Sequence, residues 1–498
     1  MRERDEYSVN EDAGAERKKK NRWLSGVGVV SALVVVAVCI AFFRLVGQTQ
    51  LLPGKMMEYL RLALSGAALV ISLFLLNHRH VVRYIFGVLL AIALLAALYM
   101  GGMAVQSGVE ALNRITTAEK EIEYIGIYVR QDDPAGHLED AENYMFGIWS
   151  GTDMEIPKKA VATLNEALKK QINVSTYETF PELVDALLDG SVDAMIFPDA
   201  FMDLLVEMEG YQDTESKIRA LLTLDFEVET GALEKPEMPD HTFTVYISGI
   251  DIRGSIQARS RSDVNILAHV NTKTRQVLLV STPRDYYVPL SISDGIPDKL
   301  THAGIYGVNV SKETLGMIYD MDIDYYFRVN FTGFEDIIDA LGGVEVYSDY
   351  DFSSMGSTFH KGVNYLNGKD ALNFARERYS FEEGDRQRGK HQMEVIRGVI
   401  NKVLSPDILK NYADVLDALD GCFETSVPYE LVAQLVRDQL DKGGDWDIVS
   451  YSVNGTGDTQ YVYSMTIPVY VVQPDWDTVN VAKNLIAQME DNKRIYAP

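Results

Sequence analysis

Apolar residues are concentrated at the start of the chain and alternate with polar ones thereafter. LSGVGVVSALVVVAVCIAFF (24–43) is an uncharged run of 20 positions. At about 1.5 Å per residue it spans a hydrocarbon core of roughly 30 Å. YIFGVLLAIALLAALYMGGMAV (84–105) is a second such run. Between them Leu62 to Leu76 is apolar but shorter, and extends across Arg61 to about 60–77, giving three predicted spans. The first run is long for the core of a cleavable signal, and further spans follow it. Arg17, Lys18, Lys19, Lys20 and Arg22 precede the first span, and Arg79 and Arg83 precede the third. The positive-inside rule puts both groups on the cytoplasmic side. Residues 1–22 are then a cytoplasmic tail, and all that follows 105 is extracytoplasmic. A two-span arrangement would place it in the cytosol instead.

Beyond a short helical stalk (106–120) the periodicity changes. IEYIGIYVR (122–130), INVSTYET (172–179) and VDAMIFP (192–198) read as strands, with helices at 158–171 and 182–190. This alternation predicts an α/β accessory domain over 121–235 with a largely parallel sheet. Its bland role is a spacer. TGALEKPEMPDH (230–241) reads as a linker. A second unit starts with the strand FTVYISGID (243–251). VNILAHVN (264–271) and QVLLVSTP (276–283) are apolar runs joined by an NTKT turn. Strands at 324–331 and 342–347 flank a helix at 333–341. In the helix 393–405, Val395, Ile396, Val399, Ile400 and Val403 share one face. Helices at 428–440 and 477–489 and a strand at 467–474 complete a C-terminal extension, 406–498, expected to pack on the domain 242–405.

Charge narrows the chemistry. With 72 acidic and 46 basic side chains the 498-residue chain carries a formal charge of −26, which argues against a nucleic-acid-coating surface. The two cysteines, Cys39 and Cys422, give no disulfide framework. Against that acidic background several arginines recur beside strand ends and turns: Arg261, Arg284, Arg376 and Arg378 in FARERY, and Arg386 and Arg388 in GDRQRGKHQ. If FARERY is extended, Arg376 and Arg378 face one way. Arg388 and Gln392 share a helix face. Guanidinium groups chelate phosphate oxygens, so such a set suits a diphosphate. The competing reading is exposed salt bridges with Glu377, Glu382, Glu383 and Asp385. Asp251 and Asp263, at the edges of probable core strands, are candidates for Mg²⁺, although turn-capping is the commoner use of such aspartates. Lys299 and His302, in DKLTHA, are candidates for a phosphate contact and an orienting role; a lone histidine is more often structural.

The order SGID, RSDVN, STPRDYYV, KLTHAGIYG, DIDYYFRVNFTGFEDIIDALGGVEV, LNGKDALNFARERYSFEEGDRQRGKHQ resembles the LytR-CpsA-Psr family over about residues 243–405, and is most similar to its capsule-type members. The resemblance implies an α/β/α catalytic domain with a central mixed sheet and a deep apolar pocket for a polyprenyl chain. It implies a phosphotransferase that moves a capsular polysaccharide or related anionic glycopolymer from an undecaprenyl-pyrophosphate carrier to peptidoglycan, outside the cell membrane, with Mg²⁺. Capsule-assembly proteins are further expected partners, and nucleic acid is not. Carried over position by position, Asp251 and Asp263 match the metal-linked aspartates. Arg261, Arg284, Arg376, Arg378, Arg388 and Gln392 match the pyrophosphate-binding set. Lys299 matches the basic residue of KLTHA, and Asp385 an acidic position at the same site. Other outcomes compatible with these residues are a non-catalytic regulator binding the same lipid and a lipid-diphosphate hydrolase.

Overall fold

The computed structural model describes residues 26–49, 54–77, 81–116, 120–151, 155–229, 239, 241–252, 254–405, 415, 418–419 and 421–497. The tail 1–22, most of the stretch 230–241 and most of 406–420 lie outside them. The chain divides into two compact units, Met1–Arg114 with Pro406–Asp417 and Pro428–Gly444, and Ile115–Ser405 with Ala418–Val427 and Asp445–Pro498.

The first unit contains three helices long and apolar enough to cross a membrane: α1 (Gly26–Gln48), α2 (Gly54–Leu76) and α3 (Val81–Thr116). The middle helix begins before the apolar window at 60. Lys55, Glu58 and Arg61 are polar, but nothing among them breaks a helix. Helix α3 runs past the third apolar stretch into the expected stalk. Leu64, Ala68, Ile71 and Leu75 of α2 pack with Val35 and Cys39 of α1 and Ala91 and Leu98 of α3. The other faces stay apolar and exposed, as a lipid-facing surface requires.

The second unit starts with a five-stranded sheet: β1 (Lys120–Arg130), β2 (Met145–Trp149), β3 (Asn173–Tyr177), β4 (Ala194–Pro198) and β5 (Ile218–Glu229), in the order β3-β2-β4-β1-β5. Only β3, β2 and β4 are parallel; β1 is antiparallel to both neighbours. The largely parallel sheet expected from sequence is thus a mixed one. Two strands escaped that reading: β2, and β5, whose charges alternate on a half-covered edge strand. Helices α4 (Glu155–Leu168) and α5 (Phe180–Asp189) cover opposite faces. On the α5 side the short helices α6 (Met202–Glu207) and α7 (Thr214–Lys217) follow.

The larger sheet uses β6 (Thr242–Ile250), β7 (Ser262–Asn271) and β8 (Gln276–Ser281), which form an antiparallel meander. The hairpin β9 (Tyr287–Pro289) and β10 (Pro297–Lys299) leads into a 3₁₀ turn, Leu300–Tyr306, and helix α8 (Val308–Tyr319). Strand β11 (Tyr325–Asn330) returns parallel to β6 and is followed by α9 (Phe331–Ala340). Small ladders join β12 (Val344–Ser348) to β15 (Gly362–Leu366) and β13 (Phe352–Ser354) to β14 (Ser357–Phe359). Helices α10 (Gly368–Arg376) and α11 (Asp385–Val403) come next. The last segments are β16 (Phe423–Thr425), α12 (Tyr429–Lys442), β17 (Asp447–Ser452), β18 (Gly455–Val462), β19 (Met465–Pro474) and α13 (Trp476–Glu490).

Residues 406–498 are not an extension laid over a finished domain. Strands β16 and β17 are the two edges of the six-stranded sheet, order β16-β11-β6-β7-β8-β17, while α12 falls in the first unit. Without them β11 and β8 would be the bare edges of the sheet. Its two faces follow from strand alternation. Tyr246, Leu267, Leu278, Val280, Tyr326 and Val449 point to α8 and α13. Ile266, Ala268, Val277 and Leu279 point to Met393 of α11. Helices on both faces of a mixed sheet make the α/β/α architecture.

The accessory sheet is not a detached spacer. Ile305, Val462, Met465, Val469 and Val471 of the larger domain share one apolar core with Phe197, Phe201, Met202 and Leu205.

Candidate active site

One end of the six-stranded sheet collects the predicted residues. Because β6 and β11 are parallel and β7 runs antiparallel between β6 and β8, the carboxyl ends of β6, β8 and β11 and the start of β7 coincide. Asp251 follows β6, Arg261 and Asp263 flank the first residue of β7, and Arg284 follows β8. A register shift at Gly249/Ile250 separates the β6 and β7 ends. Asn330, closing β11, donates from Nδ2 to the Gly254 carbonyl (2.8 Å) and so tethers the loop after Asp251.

Helices bring the remaining arginines to this end. FARERY is not an extended segment: Arg376 is the last residue of α10, and only Glu377 is extended before Arg378. A helix forms because Asn367 caps Asp370 N (2.8 Å) and Ala371, Leu372, Phe374 and Ala375 are buried. The Arg376 guanidinium lies over the Phe331 ring, 4.2 Å from its centroid, at the start of α9. Arg378 Nη2 donates to the Tyr379 hydroxyl (2.7 Å). Helix α11 begins at Asp385, eight residues ahead of the predicted start, so GDRQRGKHQ is its first turns. Gly389 lets it approach: a Cβ there would sit 2.7 Å from Ser281 Oγ at the end of β8.

The ion pairs tie these pieces together. Arg284 Nη1 donates to Asp263 Oδ2 (2.8 Å), and Thr301 Oγ1 donates to Asp263 Oδ1 (3.2 Å). Arg388 pairs with Asp385 (2.6 Å). Arg261 pairs with Glu207 and, at 3.3 Å, with Asp203. Lys299 lies between Glu207 (3.5 Å) and Asp285 (3.6 Å). Burial opposes ionisation of Asp263, but the guanidiniums of Arg284, Arg261 and Arg388 outweigh it and hold the carboxyl below its ordinary range. Burial and the neighbouring Asp263 push Asp251 upward against Arg376 and Arg261. Arg388 is pulled down by burial and by crowding from Arg284 and Arg378, against the favourable charge of Asp385. Each of these shifts requires proximity, so Asp251, Arg261, Asp263, Arg284, Arg376, Arg378, Asp385 and Arg388 form one electrostatic cluster. Gln392 lies half-buried one turn beyond Arg388 on α11.

The competing salt-bridge reading holds for Arg386, and for Arg388 through Asp385, but not for Glu377. Glu383 pairs with Lys390 (2.7 Å) and Arg386 (3.9 Å), and Glu377 turns inward to accept Ser380 N (2.8 Å). His302 is buried, with Nδ1 2.7 Å from Asp298 Oδ1 and 2.8 Å from Ser464 Oγ, which is a structural tether. Asp203, Glu207, Asp285, Thr301 and Phe331 were not identified from sequence. Nothing in the accessory segment marks Asp203 or Glu207, because their partners lie far along the chain.

A guanidinium cluster with interspersed carboxylates suits a polyanionic headgroup. The LytR_cpsA_psr family model matches residues 205–476. The chain belongs to the LytR_cpsA_psr family. The family relative from Bacillus subtilis strain 168, polyisoprenyl-teichoic acid–peptidoglycan teichoic acid transferase TagU, is 33% identical over 216 residues, 43% of this chain and 69% of that one. The protein of the same name from Enterococcus faecalis is 33% identical over 218 residues, 43% of this chain and 71% of its own length. Among solved structures, B. subtilis TagU matches with 29% identity and a TM-score of 0.40, covering 52% of this chain and 100% of that one. TagT bound to LIIa-WTA matches with 26% identity and a TM-score of 0.41, covering 50% and 91%.

Proposed function

We propose that this family member is a membrane-anchored phosphotransferase that moves a phosphate-linked glycopolymer from a polyprenyl-diphosphate carrier to peptidoglycan, with a capsular polysaccharide as the polymer. The observation that carries the reading is the convergence of Arg261, Arg284, Arg376, Arg378 and Arg388, from four segments, on one end of the sheet. The relatives' names point to the same reaction class. Arg17 to Arg22 and Arg83 favour a cytoplasmic N-terminus, which leaves the catalytic unit outside.

An acceptor sugar hydroxyl attacks the glycan-side phosphorus, forming the new P–O bond and giving up its proton to solvent. The bond from that phosphorus to the bridging oxygen breaks, and polyprenyl monophosphate leaves with the electron pair. Arg376 and Arg378 stabilise charge on the phosphoryl oxygens; Arg284 and Arg388, set around Asp263, hold the leaving phosphate. The α11 face of the sheet suits the lipid tail. Val245, Ile247, Ile396, Ile400, Trp446 and Ile448 there are apolar and only partly buried. The apolar stripe of α11 divides accordingly: Ile396 and Ile400 face the sheet, and Val395 and Val399 pack with Phe359 and Phe374.

Asp251 and Asp263 fit Mg²⁺ by donor chemistry. Both are hard oxygen ligands, each raises the cost of the other's charge, and Asp251 has no ion-pair partner among the described residues. No cluster of three or more His, Cys, Asp or Glu is arranged for a metal among those residues, so phosphate and water oxygens would complete the shell. When bound, the cation would neutralise charge on the departing phosphate.

The test is transfer from lipid-linked donor to peptidoglycan in liposomes. Replacing Arg376 and Arg378 by alanine should leave the melting temperature unchanged and reduce transfer by about two orders of magnitude or more. Normal transfer by that variant would overturn the assignment. Chelation of Mg²⁺ should slow the wild type, and indifference to chelation would overturn the cation's role.

A further inference from the structure

The accessory domain reaches into the donor site through one short helix. Asp203 and Glu207 lie on α6, four positions apart and on one face. Glu207 contacts two cations of the catalytic domain at once: Arg261 through one oxygen and Lys299 through the other (3.5 Å). Asp203 adds a second contact to Arg261 (3.3 Å). Arg261 and Lys299 are 14% and 9% exposed at their side chains, against 34% for Glu207 and 42% for Asp203. The cations are fixed and sunk, and the carboxylates approach from the open side. Packing of Phe201, Met202 and Leu205 against Ile305 and Met465 holds α6 in that place.

The local charge count sharpens the point. Six cations stand in and around the site: Arg261, Arg284, Lys299, Arg376, Arg378 and Arg388. Six carboxylates face them: Asp203, Glu207, Asp251, Asp263, Asp285 and Asp385. The site is formally neutral as it stands. A diphosphate offers the same chemistry as two carboxylates, oxygen pairs matched to guanidinium and ammonium donors. Four of the carboxylates belong to the strands, loops and helix that frame the catalytic site. Glu207 and Asp203 belong to another domain and sit over the cations on their exposed side.

We infer that Glu207, assisted by Asp203, is an intramolecular competitor for the diphosphate: it occupies Arg261 and Lys299 until the donor displaces it, and so sets the donor affinity of the site. This rests on the donor reading proposed above. It gives the accessory domain a specificity-determining role in place of a spacer's. A headgroup must bring enough negative charge to exchange for Glu207, so the same contact disfavours uncharged lipids.

The experiment measures binding of geranylgeranyl diphosphate to the full-length protein in detergent micelles by calorimetry. Glu207→Gln is nearly isosteric and removes the competing charge. It should tighten binding by about five- to tenfold, while lowering the melting temperature of the ligand-free protein, because the ion pairs are lost only there. Asp203→Asn should shift both in the same directions by less, its contact being longer and more exposed. Opposite signs in the free and bound states are the signature, since a purely structural residue would weaken both. If the wild type binds, Arg376→Ala does not, and Glu207→Gln binds no tighter than the wild type, the inference fails and the donor reading stands. If neither the wild type nor Glu207→Gln binds the diphosphate, the donor reading fails and the inference with it.

Discussion

Glu121 is the first buried residue of β1, 1% exposed, and it anchors the accessory sheet to the catalytic domain. Its Oε1 accepts from Arg328 Nη1 (2.7 Å) and from Val308 N (2.9 Å), and its Oε2 accepts from Arg259 Nε (3.2 Å). Arg328, also buried, donates from Nε to Glu424 on β16 (3.1 Å). Glu121→Gln keeps the shape and removes the charge. One amide oxygen can serve one side, but the NH₂ must then face either Arg259 Nε or Arg328 and Val308 N, donor against donor. Arg328 is left with one carboxylate in a dry site. Breaking a buried pair from one side costs about 3–5 kcal/mol, and nothing in the geometry offers relief. Urea unfolding followed by tryptophan fluorescence, with Trp149 packed edge-to-face against Phe180 and Phe201 as a reporter in the accessory sheet, reads the loss. Arg328→Lys should cost a comparable amount, because an ammonium cannot fork to both Glu121 and Glu424. A loss below about 1 kcal/mol in both variants, the range of an exposed pair, would refute the account of this network as a buried bolt.

Two further perturbations probe α11. Gly389→Ala should cost about 1–3 kcal/mol by overpacking and weaken diphosphate binding several-fold, since the first turns carrying Arg388 must lift off Ser281; adding Ser281→Ala should recover most of both, and an unaffected single variant would contradict the close approach. His391 is buried among Phe352, Phe374 and Phe381, and burial pushes its imidazole down to about 4. The folded state therefore resists a proton that the unfolded chain accepts near pH 6.5, and stability falls as pH drops from about 6.5 to about 4, by up to about 3 kcal/mol. Urea titrations at pH 7 and 4.5 should show this slope in the wild type and a shallower one in His391→Phe; identical slopes would refute it.

What was legible in the sequence follows from the range of the forces involved. Spans, most helices and the meander β6-β7-β8 were readable because apolar periodicity is local. The cationic positions were readable because a conspicuous motif order surrounds them. Arg376 was misread as part of an extended segment: the capping Asn367 and most of the buried face of α10 lie upstream of FARERY, beyond a view centred on the arginines. The start of α11 was misplaced for a related reason, since GDRQRGKHQ has no apolar residue and Gly389 reads as a break until Ser281 is seen beneath it. Strands β16 and β17 belong to the central sheet through pairings with β11 and β8 that lie far away in the chain, so local pattern could only assign them to an extension. Glu207 is the extreme case. Its role comes wholly from where α6 is packed, and a carboxylate in an acidic chain carries no mark of its own.

On the proposed donor reading, the acidic composition, which argues against general phosphate binding, would also make the site selective. A free arginine cluster would take up any phosphate. Here each cation has a carboxylate partner or an aromatic ring beneath it, as Arg376 has Phe331, and the array is neutral before a ligand arrives. Binding is then an exchange of ion partners in which Coulomb terms largely cancel. The net gain would then come from geometry: two linked phosphates that match guanidinium pairs better than separate carboxylates do, and an apolar tail laid against the partly buried apolar residues beside α11. The tail contributes little without the headgroup's placement, and the headgroup alone meets a neutral array. On that reading, selectivity for a lipid-linked diphosphate over free phosphate or free lipid would arise from requiring both at once.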